Sequence, residues 1–548
     1  MTTVADVVVD ELRNRGVTFV ATLNGHGLDP FYLACRQAGM RMIDVRNEQA
    51  AGYMAEVAGR LTRRVGVCAV SGAVAHANAL TGVLNAWFDG APMLLITGTC
   101  AREDMGWGNF QDFDPIPMTR PICKYARMVD VPTHAGQIVH EAFTAATTGR
   151  PGPVHLTLPM DVAATELASP ACRSRVQSGE VRAGAAADPA AIEEAAILLK
   201  HAKRPLLIAG SGVYYARAEA ALRDLAAAMA IPIVVPIWDR GSVDLPSPQF
   251  MGVIGAASGG PEILADSDLL LCVGVTFDYR VSQFQSPPIA EGAKVVRFHS
   301  DEGRLYQGLA GDVNVAGNPG DALRQLEVVC RRLAVSGFDA WCHDATQRRT
   351  AYRQRCADKA GTMPSGLNGY RLMELLWKQL PEDAILLVDG GNIGQWFHQT
   401  LGDRYPGTWI TCGASGVVGW GLPGAMAAKA VHPDRPVVLL SGDGSVTFTI
   451  AELECAARQG LPFVAVVADD RQWGISVSGH VAEFGGPLYS MLGPTRLDHV
   501  AEGFGCVGHY VESSEDLCQA FEAAVKSDRP VLIQAAIAPS SPDPTLIS

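Results

Sequence analysis

Two short apolar runs, separated by a glycine-rich turn and a helical segment, restrict most strongly how this chain can fold. The runs span 437–440 and 463–468, and their unbroken hydrophobicity is typical of strands buried on both faces of a sheet. A helix is predicted over 449–458, because a glycine and a proline follow it. Strand, helix and strand with short connections form a crossover unit whose strands lie parallel. Asp443 and Asp470 are therefore predicted at one carboxyl-end edge, where open α/β sheets bind ligands.

Two aspartates flanked by glycines at such an edge suit a divalent ion that holds a diphosphate. Gly442 and Gly444 carry no side chain, so the backbone can approach a bound group closely. Mg²⁺ prefers about six oxygen ligands, usually one or two carboxylates completed by phosphate oxygens and water. The alternative is an ordinary turn with two solvated aspartates. The polar pair that contains Asp470, at the end of the second apolar run, and the Trp473-Gly474 that follows it favour metal binding.

Composition and charge indicate a large globular protein. At 548 residues the chain is too long for one core, and its length predicts about three to four domains. An apolar share of 48% with 18% charged residues excludes disorder, and a net charge of −13 without a basic cluster argues against a nucleic-acid partner. Thirteen scattered cysteines without a CxxC pair predict reduced thiols and a cytoplasmic location. We expect no signal peptide, no membrane span and no membrane partner.

Alternating apolar runs and helical segments predict an α/β fold of three doubly wound units with mostly parallel sheets. We place the first unit at 1–166, a central, degenerate Rossmann-like unit at 189–340, and the third unit at 364–548. A polar stretch rich in alanine, serine and glycine, 167–188, is predicted to be a linker. In the first unit a helix is predicted over 78–86. The first and third units share a similar order of elements.

The segment from 441 to 474 resembles the thiamine diphosphate signature, in which Gly-Asp-Gly is followed after a fixed interval by paired asparagines and an aromatic-glycine pair. Together with the segment around Glu48, the resemblance covers nearly the whole chain. It is to the thiamine diphosphate enzymes that include acetolactate synthase, pyruvate oxidase and benzaldehyde lyase. It implies that Asp443 and Asp470 bind Mg²⁺ through their side chains and that Gln472 adds a backbone carbonyl. This chain has Asp-Asp where the family usually has Asn-Asn, which adds negative charge beside the diphosphate.

The resemblance also implies a set of cofactor-binding residues in the third unit. The carbonyl of Gly416 would accept from the amino group of the pyrimidine. Val418, where the family more often has Met or Leu, would be the hydrophobic wedge that bends the cofactor. Asn392, in the loop 389–395, would contact the diphosphate. The other members of the set belong to the signature itself: Gly442, Asp443, Gly444, Ser445, Asp470, Trp473, Gly474 and Ile475.

Four residues of the first unit are implied by the same resemblance. Glu48, in RNEQAAGYMAEVAGR, matches the glutamate that hydrogen-bonds the pyrimidine and promotes removal of the thiazolium proton; alone it would be a helix-opening glutamate. Gln111 matches a glutamine beside the reacting centre, with a surface glutamine as the alternative. Asn78 ends SGAVAHAN, which corresponds to a TSGPGATN-like cofactor loop. His26, in an NGHG loop, would move protons or bind substrate near the thiazolium, although a lone histidine is more often structural.

A second cofactor in the central unit is not expected. Gly210-Ser211-Gly212 follows a strand, but the third glycine of a dinucleotide fingerprint is replaced by Tyr215, which favours a structural turn. Some relatives bind FAD there, and the segment 274–281 resembles one from acetolactate synthase. The neighbouring segment 252–258 lacks the histidine usual in flavin-binding relatives, which makes FAD unlikely as a cofactor.

The resemblance implies a thiamine diphosphate- and magnesium-dependent lyase or carboligase that decarboxylates a 2-oxo acid and transfers the remainder to an aldehyde or ketone. Cleavage of a 2-hydroxy ketone (an acyloin), as in benzaldehyde lyase, is an alternative. A 2-hydroxyacyl-CoA lyase is another, although no basic site of nucleotide size is visible. A non-catalytic cofactor-binding relative is less favoured because Glu48 and the Gly-Asp-Gly turn are intact. Family sites form between two chains, which implies a homodimer or homotetramer.

Overall fold

Three six-stranded parallel sheets organise the chain and confirm the predicted α/β fold of three units. The structure is a computed structural model that describes residues 2–168, 185–239, 243–255, 262–286, 288–306, 308, 311–362, 366–401 and 408–539. Most of the predicted linker, and part of the segment 252–258, lie outside the described residues.

The first unit forms a sheet in the order β3-β2-β4-β5-β7-β6, beside a two-stranded pair β1-β8. Its strands are β1 Thr2–Thr3, β2 Phe19–Leu23, β3 Arg41–Asp44, β4 Gly66–Val70, β5 Met93–Thr99, β6 Tyr125–Met128, β7 Pro153–Pro159 and β8 Glu166–Leu167. Its α-helices are α1 Val4–Asn14, α2 Asp29–Gln37, α3 Glu48–Thr62, α4 Val74–Asp89, α5 Ile116–Thr119, α6 Ala135–Thr147 and α7 Met160–Ala164.

The central unit forms a sheet in the order β11-β10-β9-β12-β13-β14. Its strands are β9 Pro205–Ala209, β10 Ile233–Pro236, β11 Phe250–Ile254, β12 Leu269–Val273, β13 Lys294–His299 and β14 Val313–Ala316. Its α-helices are α8 Pro189–His201, α9 Ser211–Tyr215, α10 Glu219–Met229, α11 Glu302–Leu305 and α12 Pro319–Arg332. The long helix α13, Asp339–Gly361, follows.

The third unit forms a sheet in the order β16-β15-β17-β18-β20-β19. Its strands are β15 Ile385–Val388, β16 Trp409–Thr411, β17 Val437–Gly442, β18 Val464–Asp469, β19 Val507–Val511 and β20 Val531–Ala536. Its α-helices are α14 Gly369–Gln379, α15 Asn392–Leu401, α16 Gly421–Val431, α17 Asp443–Thr447, α18 Glu452–Arg458, α19 Gly474–Phe484, α20 Leu497–Gly503 and α21 Ser514–Ala524.

The first and third sheets have the same topology. Counted within each unit, the strands of both sheets lie in the order 2-1-3-4-6-5, whereas those of the central sheet lie in the Rossmann order 3-2-1-4-5-6. In a doubly wound sheet the chain leaves in opposite directions from the two strands at which the order reverses, and this opens a crevice at their carboxyl ends. The crevice lies between β2 and β4 in the first sheet and between β15 and β17 in the third.

Two predicted helices have different bounds in the structure. The predicted helix over 449–458 starts later, at Glu452, as α18, and a separate short helix that was not predicted, α17, starts at Asp443. The break between them lets the Thr449 hydroxyl donate to the carbonyl of Gly419 at 2.8 Å, which ties this turn to the loop before α16. The predicted helix over 78–86 starts earlier, at Val74, so Asn78 lies within α4 and not at the end of a loop.

The first and third units share a continuous hydrophobic core. Helix α3 of the first unit packs along α16 of the third, and residues of both units belong to one buried cluster. A buried ion pair lies within this contact: Arg60 donates to Glu56 at 3.0 Å, while the indole of Trp420 donates to the same carboxylate at 2.8 Å. These contacts fix the first unit against the third within one chain.

All twelve cysteines that the structure describes are free thiols, and most of them are buried. Within the described ranges, no helix combines the length and the hydrophobicity that crossing a bilayer requires.

Candidate active site

A cavity of about 180 Å³ opens at the carboxyl edge of the third sheet, in the crevice between β15 and β17. Twelve predicted site residues line it: Asn392, Gly416, Val418, Gly442, Asp443, Gly444, Ser445, Asp470, Gln472, Trp473, Gly474 and Ile475. The sequence prediction of site residues missed Trp396 and Ser476, which also contribute to the wall.

Asp443 and Asp470 meet at this edge because β17 and β18 pair in parallel, with Gly442 opposite Ala468. Burial is the main reason that the pKa of Asp443 lies well above its usual range, and the neighbouring charge of Asp470 raises it further. Burial likewise raises the pKa of Asp470 to about 6. Two buried carboxylates that disfavour each other's charge are stabilised by a shared divalent cation.

The side chain of Gln472 donates to Asp470 at 3.0 Å and fixes the orientation of that carboxylate. Among the described residues, no group of three or more His, Cys, Asp and Glu side chains is arranged to hold a metal. A magnesium ion here would therefore depend on two carboxylates, a backbone carbonyl and ligand oxygens, which is a donor set that Mg²⁺ accepts.

The cavity offers space and free donors for an anionic group. A Cβ atom at Gly442 or Gly391 would meet no protein atom within 4 Å, so the backbone there borders open space. Asn392 is only 8% exposed, yet within the described structure neither its amide nitrogen nor its oxygen has a hydrogen-bond partner. Helices α15 and α19 begin at the cavity, and helix N-termini favour phosphate groups. These features fit the diphosphate and metal end of thiamine diphosphate.

Buried hydrogen bonds hold the loops of the cavity in place. The carboxylate of Asp389, the residue after β15, accepts from the Ser441 hydroxyl at 3.1 Å and from its neighbour, the Gly390 N–H, at 2.9 Å. The hydroxyl of Ser445 donates to the carbonyl of Gly390 at 3.0 Å. The turns after β15 and β17 are thus connected across the crevice. Burial raises the pKa of Asp389 to about 6.

Glu48 and Asn78 form a pair on the first unit. Glu48 is the first residue of α3, and the Asn47 side chain caps that helix by accepting from Gln49 N–H at 2.9 Å. The amide of Asn78, on α4, donates to the Glu48 carboxylate at 2.9 Å. Glu48 is partly exposed and Asn78 is exposed, so both can be reached by a ligand.

His26 and Gln111 are joined by Ser71 at the crevice of the first sheet. The Ser71 hydroxyl lies 2.7 Å from the carbonyl oxygen of His26 and 2.6 Å from Oε1 of Gln111. The His26 ring packs edge-on against Phe110, with 5.4 Å between ring centroids. Ser71 is 4% exposed and was not predicted as a site residue. Its position as the residue after β4, at the carboxyl end of a buried strand, is the signal that could have identified it.

The predicted site residues therefore form separate groups in one chain. Within the described structure, none of His26, Glu48, Asn78 and Gln111 lines the cavity of the third unit. They lie instead at the carboxyl edge of the first sheet.

A further cavity lies where the central unit meets the first, with Ser211, Gly212, Arg280 and His299 among its lining residues. The guanidinium of Arg280 is held by the carboxylate of Asp278 at 2.8 Å. Gly210 and Gly212 pack against the backbone of Gly274, where a side chain would not fit. This close packing explains why glycine stands at both positions, and the explanation requires no bound nucleotide.

Comparison with known families assigns each unit to one class of protein. Residues 2–118 match the thiamine pyrophosphate enzyme N-terminal TPP binding domain, residues 192–326 the central domain, and residues 389–535 the C-terminal TPP binding domain. The fold and the cavity thus define a thiamine diphosphate-binding α/β protein.

Similar proteins extend the match along the whole chain. An acetolactate synthase large subunit from Parasynechococcus marenigrum is 31% identical, over 96% of this chain and 86% of that protein. An acetolactate synthase from Arthrospira platensis is 30% identical over 86% of this chain and 83% of that protein. The acetolactate synthase isozyme 2 large subunit of Escherichia coli is 28% identical over 97% and 95%. The chain belongs to the thiamine pyrophosphate enzyme family, on the branch that includes these acetolactate synthases.

Proposed function

We propose that this protein is a magnesium- and thiamine diphosphate-dependent carboligase of the acetolactate synthase type. It would decarboxylate a 2-oxo acid and join the remaining acyl carbon to the carbonyl carbon of an aldehyde or a second oxo acid, whose oxygen takes up a proton. The observation that carries this proposal is the cavity at the crevice of the third sheet, where two buried aspartates and the unpaired amide of Asn392 converge. The similarity to acetolactate synthases supports the reaction class.

Each group of residues has a distinct part in this proposal. Asp443, Asp470 and the Gln472 carbonyl would hold Mg²⁺, and Asn392 with the glycine backbone would hold the diphosphate. When bound, thiamine diphosphate supplies the electron sink for the pair released as carbon dioxide leaves. Glu48 would hold and exchange a proton at the pyrimidine, oriented by the Asn78 amide.

His26 and Gln111 would act on the substrate. A histidine can donate or accept a proton near neutral pH, so His26 would donate a proton to the carbonyl oxygen of the acceptor. The amide of Gln111 would hydrogen-bond the same substrate, held in place by Ser71.

We further propose that active sites form between subunits of a homodimer or homotetramer, in which the first unit of one chain faces the cavity of its partner. In support, within the described residues the Glu48 group does not line the cavity of its own chain.

We propose unit boundaries at 1–166, 189–340 and 364–548. The free, mostly buried thiols support a cytoplasmic location. We propose that no FAD is bound, because the segment 252–258 lacks the histidine usual in flavin-binding relatives.

Titration calorimetry with thiamine diphosphate, with and without Mg²⁺, tests the cofactor. We expect binding that depends on the metal, and no flavin absorbance in the purified protein. A screen of 2-oxo acids and acyloins then tests the reaction: release of carbon dioxide with a ligated product supports the proposal, whereas cleavage of acyloins alone would assign a lyase.

The Glu48→Gln variant should retain cofactor binding and lose turnover by about 10²–10⁴-fold, the usual contribution of general acid–base catalysis. Glu103→Gln, an exposed substitution in the same unit, is the matched control. Absence of metal-dependent cofactor binding in the wild-type protein would refute the proposal.

A further inference from the structure

The carboxylate of Glu452 binds the backbone just before Glu48. Both of its oxygens accept from the Arg46 N–H, at 3.0 and 3.1 Å. Glu452 is the first residue of α18 in the third unit and is 1% exposed. Arg46 belongs to the first unit and lies two residues before Glu48. A side chain from one unit therefore holds the backbone that leads into the proposed catalytic glutamate of the other.

Neighbouring contacts hold the same stretch of backbone two residues earlier, at Asp44. The side chain of Gln459 accepts from the Asp44 N–H at 3.2 Å and donates to the Asp44 carbonyl at 2.8 Å. Arg458 donates to the Asp44 carboxylate at 2.8 Å. The turn between the end of β3 and the start of α3 thus lies against α18 and the residue that follows it.

This arrangement connects the segment before Glu48 to the cavity-lining Asp443 within one chain, although the proposed dimer would place these two residues in different active sites. Helix α18 is separated from α17, which starts at Asp443, by only four residues. The same stretch of chain therefore supplies the cavity with Asp443 and supports the segment before Glu48.

We propose that Glu452 is a positioning residue that fixes the start of α3 and thereby the carboxylate of Glu48. This inference rests on the proposed function, in which Glu48 exchanges a proton with the pyrimidine. Glu452 itself touches no substrate and no cofactor.

The chemistry of the residue supports a role in placement. A carboxylate offers acceptor oxygens to a backbone N–H, whereas the amide of a glutamine would present an NH₂ group to the same donor. Burial raises the pKa of Glu452 to about 7, so the charged form lowers the stability of the folded protein at neutral pH. A glutamine of equal size would avoid that cost but would lose one acceptor.

The test compares Glu452→Gln with Glu454→Gln in the full-length protein loaded with thiamine diphosphate and Mg²⁺. Glu454 is the control because it binds the Arg46 side chain at 2.6 Å but lies on the protein surface. For Glu452→Gln we expect kcat to fall tenfold or more, while cofactor affinity stays within about twofold and the midpoint of thermal unfolding does not fall. Hydrogen–deuterium exchange should accelerate at 47–51, the first turn of α3. Glu454→Gln should match the wild type in all four measurements.

Two results would overturn the inference. One is wild-type kcat and wild-type exchange in Glu452→Gln. The other is a joint loss of kcat, cofactor affinity and thermal stability, which would make Glu452 a structural residue only. If the wild-type protein shows no thiamine-dependent turnover, the proposed function fails separately, and exchange at 47–51 in the two variants still decides whether Glu452 fixes this turn.

Discussion

The amide of Asn78 donates a hydrogen bond of 2.9 Å to the carboxylate of Glu48, which connects the start of α3 to the second turn of α4. A hydrogen bond to a charged group contributes about 1.5–3 kcal/mol when shielded, and less at an exposed position such as this one. We expect Asn78→Ala to lower kcat about three- to tenfold, because Glu48 would lose its orientation. Steady-state kinetics measure the effect, and Asn14→Ala, an exposed substitution at the end of α1, is the control. Unchanged kcat in Asn78→Ala would contradict this role.

Removing one of the two paired aspartates should stabilise the metal-free protein. Burial and the charge of Asp470 raise the pKa of Asp443, so the folded protein pays an increasing penalty as pH rises from the unfolded value near 4 towards the folded value. That penalty is complete above the folded pKa. In chelator at pH 8 we therefore expect Asp443→Asn to gain on the order of 1 kcal/mol, with the difference shrinking towards pH 5.

Scanning calorimetry across pH measures this effect, with the exposed Asp434→Asn as control. The same Asp443→Asn variant should gain less stability than the wild type when Mg²⁺ and thiamine diphosphate are added. A variant that is less stable than the wild type in chelator at pH 8 would disprove the electrostatic explanation.

The buried Arg60 should be essential for the contact between the first and third units. Its guanidinium donates to Glu56 at 3.0 Å and to the carbonyl of Thr411 at 2.8 Å, and lies 3.5 Å from Asp89. Arg60→Leu leaves two buried carboxylates without their cation, and breaking a buried pair in this way costs about 3–5 kcal/mol. Urea denaturation measures the loss. The exposed Arg36→Leu should change stability by less than about 0.5 kcal/mol. A similar small effect for Arg60→Leu would show that the pair contributes little.

The sequence predicted the fold because the strands of parallel sheets are marked by local apolar runs. The runs around Asp443 and Asp470 became β17 and β18, paired in parallel as the crossover rule requires. Twelve residues that line the third-unit cavity were predicted together from the family resemblance, because its motifs are short and follow strand ends. Helix bounds were less accurate: Thr449, predicted as the first residue of a helix, instead makes a tertiary hydrogen bond to Gly419, and the helix starts at Glu452.

Residues that act through long-range contacts were not predictable in this way. Glu452 reads as an ordinary glutamate at the start of a helix, and only the fold brings it to the N–H of Arg46, 406 positions away. Trp396 reads as a buried aromatic residue, and its place in the cavity wall depends on how α15 packs. Local periodicity and motif spacing carry no information on such pairings.

Ser71 should control the placement of both His26 and Gln111. A hydroxyl carries one proton, so Ser71 donates either to the His26 carbonyl at 2.7 Å or to the Gln111 side chain at 2.6 Å. Both contacts become hydrogen bonds together only when the Gln111 amide is rotated by 180°, so that its NH₂ group replaces Oε1 and donates to Ser71 while the hydroxyl donates to His26. In Ser71→Ala both partners lose this bond, and we expect kcat/KM for the oxo-acid substrate to fall about tenfold, equivalent to about 1.4 kcal/mol.

Cofactor affinity should not change in Ser71→Ala, because Ser71 lies outside the cavity that would hold the diphosphate. Ser247→Ala, in the central unit, is the matched control and should behave as the wild type. Gln111→Ala provides a second comparison: if Ser71 acts by holding Gln111, the double variant should lose little more activity than Gln111→Ala alone. Fully additive losses would show instead that the two residues act independently on the substrate.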